Sequence, residues 1–250
     1  MTTFIGIILG MFGISIMQLI LATAMPFIVT EIGGDYLYSW VFSSYMLASL
    51  LTIPVFSKLA DLYGKKRFYL LGMSFFAAGT FYGALASNME NLIVARVIQG
   101  LGAGMMIPVS IALISDLFPP EKRGVMIGAF SFVQLVANLL SPILGSVITK
   151  QLGWHWIFYI TLVMVLIAIL LVALDNKKTS PTKVSVRWTE IDILGGVLFG
   201  VFCVLTVSFS DSVSKLGQLE LTGISLLIGA VATGLILAWN ESHHKDPVIK

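Results

Sequence analysis

Charge is the scarcest property of this sequence. Only 11% of its 250 residues are Asp, Glu, Lys or Arg, whereas 57% are hydrophobic, and the mean hydropathy is +0.95. A soluble domain carries about 25% charged residues. This chain therefore has too few polar groups to cover a surface in water, and we expect its solvent to be lipid.

Cysteine and the usual constellations of catalytic or metal-binding residues are also scarce. The single Cys203 excludes an intramolecular disulfide and leaves the redox compartment open. His243 and His244 lack the further ligand spacing of a metal site. Neither a Gly-rich phosphate loop nor a nucleophile elbow is present. The sequence predicts no enzyme, no metal and no cofactor, and its cations are too scattered for a nucleic-acid surface.

What the sequence does contain is a series of long apolar runs. A spanning helix needs about 20 mostly apolar residues, and continuous runs favour helices over the alternating strands of a barrel. The first run is too long for the core of a cleaved signal peptide and has no basic segment before it. We therefore predict an all-α polytopic membrane protein with eight spans near residues 4–29, 37–57, 68–87, 92–115, 124–149, 155–174, 191–210 and 219–239.

The Lys and Arg residues between these runs predict the orientation. Twelve of them fall in segments on the side of the N-terminus, only Lys150 and Lys215 fall on the other side, and Arg96 lies within the fourth span. Cytoplasmic loops carry the excess of Lys and Arg. We expect both termini to be cytoplasmic, in a plasma membrane. The polar segment 175–190, with Pro181, predicts a cytoplasmic linker between the six spans of 1–174 and the two of 191–250.

Arg96 is the most informative single residue, because a charge at membrane depth is expensive and normally faces a bundle interior or a wet cavity. Gln99 lies close to the same helical face and can offer a neutral hydrogen bond. One hypothesis is a coupling residue that responds to a proton or a substrate. The alternative is an arginine that snorkels to the nearby outer interface.

The fifth span contains small residues around a proline. Gly128, Ser141 and Gly145 would let backbones approach closely. Pro142 removes a backbone hydrogen bond and bends the helix. An ordinary kinked helix is the alternative to a functional bend.

Several of these segments resemble motifs of the major facilitator superfamily, in its fourteen-helix drug:proton antiporter branch. The loop after span 2 is similar to G-x-L-A-D-R-x-G-R-K-R, with Ser57 and Leu62 as departures. Span 4 resembles R-x-x-Q-G-x-G, span 5 resembles G-x8-G-x3-G-P-x2-G-G, and Gly153 to Ile160 resembles G-W-R-W-I-F-Y-I with His155 for Arg. The loop match rests on Leu59, Ala60, Asp61, Gly64, Lys65, Lys66 and Arg67.

Span 1 departs from the family where the family carries an acid. Residues 16–26 resemble L-D-x-T-I-V-A-T-A-L-P, but Met17 replaces the carboxylate and Leu19 the hydroxyl. A buried carboxylate is the usual proton carrier of such sites. The resemblance therefore implies proton coupling, but span 1 lacks the carboxylate that would carry the proton.

The resemblance implies a six-helix N-terminal bundle over 1–174, followed by two additional helices in 191–250. It further implies efflux of small amphipathic molecules by alternating access, with proton coupling when a second bundle or a second copy completes the carrier. Asp61, Gly64, Lys65 and Arg67 would act in conformational switching. The alternative is a truncated or partner-binding membrane protein without transport of its own. We expect a bacterial source. The residues expected to contact substrate or support coupling are Gln18, Tyr45, Arg96, Gln99, Gln134 and Asn138.

The predicted orientation can be tested by cysteine labelling on a Cys203-free background. A cysteine at Asn88 is expected to react from outside the cell, and one at Thr179 only from inside, because the cations lie on the side of Thr179. The reverse pattern would contradict the orientation.

Overall fold

The structure is a computed structural model that describes residues 1–175, 198–206, 208–209 and 221–243. The described residues form helices and contain no strand, which confirms the predicted all-α fold of a polytopic membrane protein. A short 3-10 turn, Asp35–Leu37, precedes the second helix. The helices are α1 (Thr2–Ile32), α2 (Tyr38–Tyr63), α3 (Lys65–Ala84), α4 (Met89–Leu117), α5 (Pro120–Leu152), α6 (His155–Leu174), α7 (198–206) and α8 (Leu221–His243).

Five of the helices, α1, α2, α4, α5 and α6, are long and apolar enough to cross a membrane. α3 begins with three consecutive cations, and α8 contains a shorter apolar stretch, Gly223–Leu237. Most of the predicted linker, the first residues of the seventh span and residues 244–250 lie outside the described residues. The division into domains at 174 and 191 therefore remains a prediction.

Two helices begin before the apolar spans predicted from the sequence, because the residues at their N-termini favour helix initiation. The Asn88 side chain accepts a hydrogen bond from the Asn91 amide at 2.8 Å and so caps α4. Pro120 begins α5 before the apolar run. Proline has no backbone N–H, but the N–H groups of the first turn have no partner within the helix, so no hydrogen bond is lost. The polar first turn of α5 then lies outside the apolar region.

α4 packs against α2 and α3 through glycines on two of its faces. A Cβ at Gly102 would lie 2.5 Å from the carbonyl oxygen of Gly72 and 2.5 Å from the amide nitrogen of Phe76, both in α3. Gly100 and Gly104 meet the backbone of α2 at Tyr45 and Ser49. Small residues allow this close approach in lipid, where packing and not the hydrophobic effect holds helices together.

α1 and α6 are joined at both ends. At one end the Trp154 indole donates to the Glu31 carboxylate at 3.0 Å. At the other, the Asp175 carboxylate accepts from Thr2 Oγ1 at 2.9 Å and from Thr3 Oγ1 at 2.5 Å. The α1 N-terminus is thus capped by a residue from the end of α6.

α5 packs mainly on α1 and is the most exposed of the long helices. Ser141 Oγ donates to the Ala137 carbonyl at 2.5 Å and lies 3.4 Å from that of Ile16. The opposite face of α5 is apolar and open, because nothing in the described part of the chain covers it. The exposed residues on that face include Val125, Phe132, Leu135, Leu139 and Ile143.

α7 and α8 form a pair beside α2. Gly200 of α7 lies directly against Leu51 of α2, and Gly234 of α8 packs on Phe202, whose ring atoms a Cβ would meet at 3.2 Å. This places the two additional helices on the α2 side of the bundle.

The packing of α4 can be tested with two matched substitutions. Gly102→Ala is expected to lower the free energy of unfolding by about 1–3 kcal/mol, because its methyl group would overlap α3 backbone. Gly128→Ala, on α5 with no atom within 4 Å of the added carbon, should be neutral or stabilising by up to about 1 kcal/mol. Thermal unfolding in detergent measures both. Equal effects of the two substitutions would contradict the packing.

Candidate functional site

The buried centre of the structure is the Arg96 guanidinium, which lies between α2, α3 and α4. The residue is 1% exposed. Its Nε donates to the Val41 carbonyl of α2 at 3.2 Å, and its Nη1 donates to Gln99 Oε1 at 2.8 Å. Arg96 therefore faces the helix bundle and does not snorkel toward the interface.

A chain of hydrogen bonds fixes the orientation of Gln99. Thr80 Oγ1 donates to the Phe76 carbonyl at 2.7 Å and accepts from Gln99 Nε2 at 2.9 Å. The amide oxygen of Gln99 is consequently directed at the cation. Three helices contribute to this network, because Thr80 and Phe76 belong to α3, Gln99 and Arg96 to α4, and Val41 to α2.

Tyr45 forms the second wall of the site. Its ring lies against the guanidinium, with the Arg96 Cζ 4.1 Å from the ring centroid, which is a cation–π contact. Within the described part of the chain, Tyr45 Oη, Ser44 Oγ and Arg96 Nη2 are buried and have no hydrogen-bond partner. The site thus retains the Tyr45 hydroxyl and a charged N–H of Arg96, each of which can donate to an acceptor.

Tyr45, Arg96 and Gln99, three of the residues predicted to contact substrate or support coupling, are therefore adjacent. Sequence reasoning missed two members of the cluster, Thr80 and the carbonyl group of Val41. Threonine is common in apolar runs, and a carbonyl group is present at every residue. Only the pairing of α3 with α4 singles out Thr80.

The other three residues expected at this site are not part of the cluster. Gln18 and Gln134 are half-buried and Asn138 is exposed. None of these three amides forms a side-chain hydrogen bond with another described residue. They lie on α1 and α5, and the network of Arg96 closes within α2, α3 and α4. Among the described residues, no hydrogen bond therefore links Gln18, Gln134 or Asn138 to the Arg96 cluster, and their role at the site stays a prediction.

Met17 occupies the position of the missing acid. The side chain is fully buried, and Thr161 Oγ1 of α6 lies 3.7 Å from its sulfur atom. Met17 otherwise belongs to the buried apolar core, which suits its uncharged thioether side chain. Nothing at this position in the described residues replaces a titratable carboxylate.

The basic loop links several helix ends. Gly64 separates α2 from α3 with φ +104, a conformation that favours glycine. Lys65 Nζ lies 2.8 Å from the Asp116 carboxylate of α4 and 3.9 Å from that of Asp61. The Asp61 side chain is 51% exposed and that of Lys65 is 16% exposed. Lys65 therefore joins α4 to α3 and leaves part of the Asp61 carboxylate accessible.

The two cations that follow Lys65 differ in their surroundings. Lys66 Nζ donates to the Asp175 carbonyl and so ties the loop to the end of α6. Arg67 is exposed. Three of the four residues expected in conformational switching, Asp61, Gly64 and Lys65, are thus adjacent, and Arg67 lies at the surface beside them.

The predicted bend motif of α5 divides into two parts. Ser141 and Gly145 are buried against α1, where a Cβ at Gly145 would meet Thr23 Oγ1 and lie 3.2 Å from the Ile20 carbonyl oxygen. Pro142 lies inside the helix. Gly128 has open space around it. Close packing therefore accounts for Ser141 and Gly145 but not for Gly128.

Comparison with known proteins points to a single family. Residues 3–239 match the family model of the Major Facilitator Superfamily. The chain is 44% identical over 156 residues to "Multidrug resistance protein 3" of Bacillus subtilis (strain 168), which covers 62% of this chain and 30% of that protein. It is 31% identical over 249 residues to "Multidrug transporter protein MdtP" of the same organism, covering 98% and 44%. The chain thus spans less than half the length of these two relatives.

Solved structures show the same fold at low sequence identity. An auto-inhibited POT family peptide transporter has a TM-score of 0.68 at 17% identity and covers 98% of this chain and 54% of that one. The peptide transporter POT in complex with sulfate has a TM-score of 0.68 at 19% identity, covering 95% and 50%. Together with the family model, which matches nearly the whole chain, these similarities confirm the resemblance found in the sequence: this chain belongs to the Major Facilitator Superfamily.

Proposed function

We propose that this chain is one half of a carrier that exports small amphipathic molecules across the plasma membrane by alternating access. The observation that carries the proposal is the Arg96 cluster, a buried charge at membrane depth inside a bundle of this family. Two relatives are named as multidrug proteins, which supports efflux as the direction and drug-like molecules as the cargo.

In this proposal Arg96, Gln99 and Tyr45 form the part of the binding and coupling site that belongs to this half. Arg96 Nη2 and Tyr45 Oη are buried donors without a partner among the described residues, and the neutral partners of Arg96 leave its charge uncompensated. Gln18, Gln134 and Asn138 would contribute from α1 and α5 at the face where the second half docks. Their unpartnered amides are costly in lipid, and a protein partner there would satisfy them.

Asp61, Gly64, Lys65 and Arg67 would act on the cytoplasmic side during the conformational change. Asp61 is partly exposed and shares Lys65 with Asp116, so its carboxylate can contact a helix N-terminus of a second bundle at little cost. Both chain termini would be cytoplasmic, and the bacterial relatives support a bacterial plasma membrane.

Proton coupling would require groups from the second half, because Met17 supplies no carboxylate. A second candidate function follows from that same residue: a partner-binding membrane protein without transport of its own. The fully buried, apolar surroundings of Met17 favour it, since a carrier that has lost its acid has lost the usual proton carrier.

The two candidates differ in what the purified chain does. We expect an isolated monomer to show no proton-driven export of a fluorescent amphipathic substrate from proteoliposomes, because one bundle has nothing to rock against. Export should appear only in preparations whose mass in nanodiscs shows a dimer or a complex with a second half. Gradient-driven export by a demonstrated monomer would contradict the half-carrier proposal, and complexes without any export would favour the second candidate.

The role of Arg96 can be tested in such an active complex. Arg96→Ala leaves Gln99 Oε1 without its donor and removes a second donor from the Val41 carbonyl, and unpairing a buried acceptor costs about 1–3 kcal/mol. Export should fall by about tenfold or more while expression is retained. Lys150→Ala, which removes an exposed cation at the end of α5, is the matched control and should not change the rate. If the Arg96→Ala variant exports at the normal rate, Arg96 is not part of the binding and coupling site.

A further inference from the structure

The charges of the described residues are distributed very unevenly with depth. Arg96 is the only charged side chain among the buried residues that the structure describes. The carboxylates, by contrast, lie at or near helix ends. Those whose side chains are described are Glu31, Asp35, Asp61, Glu90, Asp116, Glu121 and Asp175.

No counter-charge accompanies Arg96 in the described part of the chain. Its partners are a carbonyl oxygen, an amide oxygen and an aromatic ring, all neutral, and its Nη2 has no partner. A guanidinium stays protonated at any physiological pH. This half therefore holds a fixed positive charge between α2, α3 and α4, and the buried hydroxyl of the adjacent Tyr45 is also available as a donor.

Such a charge acts on a ligand without touching it. The energy between two charges falls only as the inverse of distance, and the low dielectric of a bundle in lipid screens it far less than water does. Arg96 therefore does not have to be exposed to influence which molecules enter between the two halves. A cation in that space is repelled, whereas an anion is attracted and meets no carboxylate from the described helices.

Resting on the proposed export function, we propose that this half selects amphipathic organic anions, such as carboxylates and phenolates, over lipophilic cations. The charge of Arg96 provides the selection, and the buried donors around it favour an acceptor group on the substrate.

The same class of substrate is consistent with methionine at position 17. A carrier that exchanges its substrate for protons needs a group that carries the proton. An anion needs no such group, because the negative potential inside the cell already drives it outward. A potential of 100 mV favours the exit of a monovalent anion by about 50-fold. A carrier of anions can therefore lose the acid on α1 and still export.

Two lipophilic ions of nearly the same shape and opposite charge, tetraphenylborate and tetraphenylphosphonium, test the selection directly. Binding to the full chain in nanodiscs of phosphatidylcholine is measured with ion-selective electrodes, and binding to empty discs is subtracted. The wild-type chain should bind the borate more tightly. Arg96→Gln should lower the ratio of anion to cation affinity by about tenfold, whereas Arg96→Lys, which keeps the charge, should retain most of it.

A second pair of variants does not depend on the stability of the Arg96 substitutions. Met17→Glu places a carboxylate at membrane depth and should shift the preference toward tetraphenylphosphonium by about tenfold. Met17→Gln has a similar shape without the charge and should bind both ions like the wild type. If Arg96→Gln does not fold, this pair decides the question.

The outcomes separate the inference from the function on which it rests. If the wild type binds tetraphenylphosphonium as tightly as tetraphenylborate or more so, the inference is wrong and the export proposal stands. An unchanged ratio in Arg96→Gln or in Met17→Glu also contradicts the inference. If neither ion binds above the level of empty discs, both the inference and a substrate site in this half are overturned.

Discussion

Close approach of α4 to α2 and α3 is the constraint on which the rest of the structure depends. Lipid offers no hydrophobic gain for bringing helices together, so their association relies on backbone proximity and hydrogen bonds. Gly100 and Gly104 supply that proximity toward α2, and Gly102 supplies it toward α3. Any side chain at these positions would separate the helices whose carbonyl, hydroxyl and amide groups surround Arg96.

The enclosure of Arg96 follows from that packing. A charge in the membrane is tolerated when polar groups replace water around it, and here α2 offers the Val41 carbonyl and the Tyr45 ring while α3 holds Gln99 in position through Thr80. The remaining donors face no partner in the described residues. Among the described residues, an otherwise apolar bundle therefore encloses one polar, positively charged centre, and this centre is the basis of the proposal that the chain is one half of a carrier.

The sequence predicted the features that depend on local pattern and left out those that depend on helix pairing. Apolar runs predicted the helices, and the position of Arg96 within one of them predicted either a bundle-facing charge or a snorkelling one; the structure shows the first. Two features depend on which helix faces meet: the contribution of Thr80, and the lack of hydrogen bonds from Gln18, Gln134 and Asn138 to the Arg96 cluster. No periodicity in one helix contains that information. The same holds for Lys66 and Asp175, which lie 109 residues apart and meet only because α6 ends beside the basic loop.

The central claim is that Arg96 is held inside the bundle by a charged hydrogen bond to Gln99. A double-mutant cycle of Arg96→Met and Gln99→Leu, read as the free energy of unfolding in a bilayer mimic, measures that bond directly. The structure predicts a coupling energy of at least about 1 kcal/mol, because one partner is charged and both are buried. Additive effects, within about 0.3–0.5 kcal/mol, would show that the two side chains do not interact and would contradict the account.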